Sequence, residues 1–163
     1  MIKFKNEYDF SKLDIHQKSM VLYGIKFTMI LDGSFYKEFL LELKENSDFA
    51  EEEYYYIHQV LEDRTLKDNY DEIYIKENKN NKHLIQKYMV ENNLQVEKRQ
   101  VSSNIISTYF YGNEEKLNEY ILSTNYYFNE NRRTNVYIMY DFSLPKERNK
   151  DEYFVKIILE IKK

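Results

Sequence analysis

The chain has 163 residues, a net charge of −4, 42% hydrophobic and 17% aromatic residues. That length and apolar content predict one folded domain, residues 1–163, and exclude an intrinsically disordered chain. The chain contains no cysteine and three isolated glycines, Gly24, Gly33 and Gly112, which excludes disulfides, thiolate chemistry and a glycine-clustered phosphate loop.

Ile2 and Phe4 begin an alternation that predicts a short first strand near Ile2–Lys5. Asp14 and Gln17 form a capping-box pattern, and Ile15, Leu22, Ile25 and Met29 predict a first helix ending at Gly33. Ser34 caps an expected second helix with Phe35, Phe39, Leu40 and Leu43 on its inner side. Asp48, with Glu51 three residues on, opens an expected third helix whose stripe is Ala50, Tyr54, Ile57 and Leu61. Thr65–Glu77 is ambiguous: Ile73 and Ile75 alternate like a strand, but Asp and Asn are dense around them. Leu84, Ile85, Tyr88 and Met89 predict one helix face; Leu94–Val101 and Ile105–Tyr111 predict two strands. Asn113 caps a helix bearing Leu117, Tyr120 and Ile121, and Tyr126–Phe128 reads as a further short strand.

The C-terminal pattern is the clearest. Val136, Ile138, Tyr140 and Phe142 alternate with polar-side partners, as do Val155, Ile157, Leu159 and Ile161. A period of two marks strands with a buried face, and the connection Ser143–Asp151 carries the only proline. These runs predict an antiparallel pair. Helices first and strands later give an expected α+β fold, with N-terminal helices on one face of a C-terminal antiparallel sheet. The N-terminus lacks a signal-peptide core, and no run is long enough to span a membrane, so a cytoplasmic protein with no membrane partner is expected.

Catalytic patterns are sparse. His16, His58 and His83 have no metal-ligand spacing around them, so neither metal nor cofactor is expected. Asp141 followed by Glu160-Ile161-Lys162 is similar to the Asp…Glu-x-Lys arrangement of restriction-endonuclease-like enzymes. Seven residues of strand would separate the two carboxylates by about 23 Å, too far to share a cation. Arg132, Arg133, Lys146, Arg148 and Lys150 fall in expected turns at opposite hairpin ends, and an acidic chain argues against direct nucleic-acid binding.

Charge is unevenly placed. Glu42–Glu72 holds eleven acids and three bases, a local balance of −8 that leaves +4 for the remainder. On the expected third helix, Glu51, Glu52, Glu53, Tyr54 and Tyr55, followed by Glu62, Asp63, Asp68, Asp71 and Glu72, would form a negative surface with aromatic anchors. Such a surface selects and steers a basic protein partner. In size, charge and lack of cysteine, with that acidic stretch and the Tyr54-Tyr55-Tyr56 run, the chain resembles bacterial immunity proteins of the contact-dependent growth inhibition type. The resemblance implies a non-enzymatic inhibitor that occludes the active site of a cognate toxin, often a nuclease. A phage-encoded inhibitor or an antitoxin would share that profile; a small metal-dependent nuclease-like enzyme is the alternative of a different class.

Overall fold

The computed structural model describes residues 9–26, 53–69, 72–79, 82–91, 96–140 and 153–162. Seven strands dominate: β1 (His16–Lys26), β2 (Tyr54–Val60), β3 (Leu66–Lys67), β4 (Glu72–Lys76), β5 (Val96–Gly112), β6 (Thr134–Tyr140) and β7 (Tyr153–Glu160). Two α-helices, α1 (Lys82–Glu91) and α2 (Glu114–Asn129), and a 3-10 turn at Phe10–Lys12 complete the described elements.

The expected α+β arrangement of N-terminal helices on a C-terminal sheet is therefore wrong. The first expected helix is strand β1, and the third is replaced from Tyr54 onward by strand β2; the second, and the first strand near Ile2, fall outside the described residues. The cause is two-sided burial. In β2, Tyr55, Tyr56, Ile57 and His58 are all buried, so no polar–apolar alternation marks the strand. Spacings that mimic a helical stripe then carry no helix. The two strands expected at Leu94–Val101 and Ile105–Tyr111 are one continuous strand, β5, and Tyr126–Phe128 lies inside α2.

Contacts divide the chain into two compact units. Unit 1 takes Met1–Lys18, Ile57–Asn69 and Ser102–Lys163; unit 2 takes Ser19–Tyr56 and Tyr70–Val101.

In unit 1, β7 pairs antiparallel with both β5 (Ile105↔Glu160 through Gly112↔Tyr153) and β6 (Val136↔Leu159 through Tyr140↔Val155). β2 pairs antiparallel with β3 (Gln59↔Lys67, Val60↔Leu66) and also pairs with β6. The C-terminal hairpin expected from the alternation is present. Its Val155, Ile157, Leu159 and Ile161 form one buried core with Val136, Ile138, Ile106, Phe110, Val60 and the α2 residues Leu117, Tyr120 and Ile121. α2 begins as the sequence indicates: the Asn113 side chain accepts from the Lys116 N–H at 2.7 Å. It ends at Glu130, whose left-handed φ of 53° lets its N–H reach the Tyr126 carbonyl at 3.1 Å.

In unit 2, β4 pairs antiparallel with β1 (Leu22↔Lys76 through Lys26↔Glu72) and β2 (Tyr54↔Ile75, Tyr55↔Tyr74). Gly24 lies opposite Tyr74, and a Cβ there would meet the Tyr74 ring at 2.5 Å. The ring cannot lift away freely, because Tyr74 is buried and its hydroxyl donates to Glu72 at 2.5 Å. Gly24→Ala is expected to destabilise the protein by about 1–3 kcal/mol. Urea unfolding checks this, and the loss should shrink in a Tyr74→Leu background; an equal loss in both backgrounds would show that the ring is not the obstacle.

Candidate binding surface

β2 leaves the unit 1 sheet through a tight hairpin into β3. The Leu61 N–H donates to the Thr65 carbonyl (2.8 Å) and the Arg64 N–H to the Leu61 carbonyl (3.1 Å), with Arg64 at φ 66°. Asp63 fixes the tip: its carboxylate accepts from the Thr65 hydroxyl (2.6 Å) and N–H (3.2 Å). The hydroxyl bond is the main reason its carboxyl is held below the usual range. Glu62, Asp63, Arg64 and Thr65 are all exposed.

This hairpin reaches α2. The Arg64 guanidinium sits 5.0 Å from the centroid of the Tyr126 ring, near the helix C-terminus. Asp68 senses the other end: its carboxyl is pushed up, first by desolvation and then by the charge of Glu114 in the first helical turn. Glu114 and Tyr126 lie about 18 Å apart along the helix. The hairpin thus meets α2 at Tyr126, and Asp68 feels the charge of Glu114.

The hairpin carries the exposed Glu62, Asp63, Arg64, Lys67 and Asp68; the helix carries the exposed Glu115 and Lys116 and the rings of Tyr126 (44% exposed) and Tyr127 (53% exposed). Glu115 and Tyr126 are eleven residues apart, a spacing that returns to the same helix side at about 100° per residue. Tyr127 is braced by Phe10 (5.4 Å between ring centroids) and Phe128 (4.9 Å). Tyr126 and Tyr127 are thus two exposed rings held in place, one under Arg64 and the other by Phe10 and Phe128.

The residues expected to form one acidic helix face are distributed differently. Glu62, Asp63 and Asp68 belong to unit 1, whereas Glu53, Tyr54, Tyr55 and Glu72 belong to unit 2. Tyr55 is fully buried and unavailable to a partner. Glu53 is paired with Lys76 (2.9 Å), and Glu72 accepts from Tyr74. Glu51, Glu52 and Asp71 lie outside the described residues. Sequence reasoning missed Tyr126, Tyr127, Glu114 and Glu115. The Asn113 cap identifies the helix, and its continuation past Ile121 would have put the two tyrosines on the polar side.

The nuclease-like pattern does not assemble into a site among the described residues. Glu160 is buried, with one oxygen accepting from the Tyr137 hydroxyl and the other paired with Lys162 at 3.2 Å; Asp141 is outside the described residues. No group of three or more His, Cys, Asp or Glu that could hold a metal occurs among the described residues. His58 is buried, and its Nδ1 accepts from the Asn69 N–H at 2.9 Å; burial pushes its pKa down to about 4. No described helix is long and apolar enough to cross a membrane.

No family model and no curated relative matches the chain. Among solved structures, it is similar to a chain in a cryo-electron-microscopy structure of an EcmrR–DNA complex, with 10% identity and a TM-score of 0.48, covering 99% of this chain and 62% of that one. It is also similar to the crystal structure of a hydrolase from Listeria innocua, with 10% identity and a TM-score of 0.46, covering 99% of this chain and 97% of the other. The chain thus spans 62% of the length of the EcmrR chain.

Proposed function

We propose that this is a non-enzymatic, cytoplasmic binding protein of immunity type, which neutralises a basic protein toxin by covering its active site. The observation that carries the reading is the Arg64–Tyr126 contact in unit 1, which brings the exposed hairpin acids Glu62 and Asp63 toward the exposed rings of Tyr126 and Tyr127. Carboxylates at the rim would speed encounter with a positively charged surface, and braced aromatic rings would supply contact area at small entropic cost. A nuclease is the natural target class, because an acidic surface would occupy the place where its nucleic acid lies.

The experiment mixes this protein with a candidate basic toxin domain. A stoichiometric complex is expected, with loss of the partner's activity. Glu62→Gln combined with Glu115→Gln should slow association severalfold at low salt and much less at high salt. Tyr126→Ala should speed dissociation about tenfold while the melting temperature stays within a few degrees of wild type. Absence of a complex, or association rates indifferent to both changes, would overturn the reading; turnover of a nucleic-acid substrate by the isolated chain would favour the enzymatic alternative.

A further inference from the structure

On unit 1, the sheet face turned away from α2 carries a different chemistry. Core residues of β5 and β7, such as Ile106, Phe110, Val155 and Ile157, point toward α2, so the intervening residues point the other way. Register then fixes their neighbours: Tyr111 lies opposite Phe154, and Lys156 lies between Tyr109 on β5 and Met139 on β6. Tyr109, Tyr111 and Phe154 are 63%, 68% and 51% exposed, and the Tyr109 and Phe154 rings are stacked at 24° with centroids 6.1 Å apart.

Two properties define what this face suits. Three large rings with rather more than half their surface free offer on the order of 400 Å². That is about half of the ~800 Å² each partner contributes to a stable protein interface, and it matches a small planar molecule. Charge sets the second property. Lys156 is half-buried in the row beside Tyr109, and among the described residues its ammonium has no carboxylate within ion-pair distance. The carboxylate of the same face, Glu160, is four residues along β7 and is already engaged by Tyr137 and Lys162.

We infer that this face binds a planar aromatic anion, its ring stacked on Tyr109 and Phe154 and its carboxylate or phosphate paired with Lys156. Stacking supplies affinity without regard to ring identity, and the Lys156 ammonium selects the negative charge. The site is separate from the hairpin acids Glu62 and Asp63, whose charge would repel the same ligand.

Nuclear magnetic resonance titration of the full chain with 2-naphthoate, its neutral amide, and 2-naphthylmethylammonium tests this. Saturable shifts centred on Tyr109 and Phe154 are expected, with naphthoate binding about tenfold more tightly than the amide. Lys156→Met and Lys156→Gln should each reduce that preference to near unity, and Tyr109→Ala with Phe154→Ala should abolish binding of both. Equal binding of anion and cation, a preference that survives Lys156→Met, no saturable binding, or a dimer that buries Tyr109 would overturn the inference.

Discussion

Asn129→Ala is expected to cost about 3 kcal/mol of stability, one of the two largest single-site effects in this protein. Asn129 is buried at the end of α2, and its amide nitrogen donates to Asn125 Oδ1 (2.8 Å) and to the Glu160 carbonyl (2.9 Å). Its Oδ1 accepts from the Lys162 N–H at 2.7 Å. Three bonds at about 1 kcal/mol each give the stated loss, because alanine can replace neither the donor nor the acceptor. The side chain thus stitches the helix end to the end of β7, where Thr134 also donates to the Glu160 carbonyl. Urea unfolding of Asn129→Ala beside the exposed control Glu115→Ala measures the effect. Should Asn129→Ala not fold, Asn125→Ala, which loses the bond to the Arg132 carbonyl and its tie to Asn129, should fall between the two. A loss under 1 kcal/mol for Asn129→Ala would mean that the clamp is not structural.

The second large effect appears as pH falls. His58 has a folded-state pKa of about 4 because burial disfavours the imidazolium, against 6.5 for the free side chain. Above pH 6.5 both states are neutral and stability is complete. Between 6.5 and 4 the unfolded chain takes up a proton that the folded chain refuses, so stability falls by up to about 1.4 kcal/mol per pH unit, about 3 kcal/mol in all. His58→Gln keeps an acceptor for the Asn69 N–H and has nothing to titrate. Unfolding at pH 7.5, 6.0 and 5.0 should show the wild type losing stability faster than the variant. Parallel curves would mean that His58 is reachable by protons in the folded state.

Both effects arise in unit 1, which also carries the residues of both proposed binding surfaces. Stability and function can be separated there. Asn129 and His58 are buried, whereas the proposed contacts Glu62, Glu115, Tyr126, Tyr109 and Phe154 are exposed and their loss should leave the core intact.

Local sequence was sufficient where residue type itself keeps the element's period. β6 and β7 declare themselves because Val136 and Ile138, then Val155, Ile157 and Leu159, recur at every second position, even though Tyr137 and Ile158 of the opposite face are buried as well, and α2 because Asn113 caps Leu117, Tyr120 and Ile121. Tertiary structure decided the rest. β1 and β2 bury residues on both sides, which removes the periodic contrast, and Tyr126–Phe128 follow the helix despite strand-favouring side chains because the Asn125–Asn129 clamp closes only one turn later. The surfaces were hidden for a related reason. Tyr109 meets Phe154 and Arg64 meets Tyr126 only through strand register and packing, and contacts between residues so far apart in the chain leave no local pattern to read.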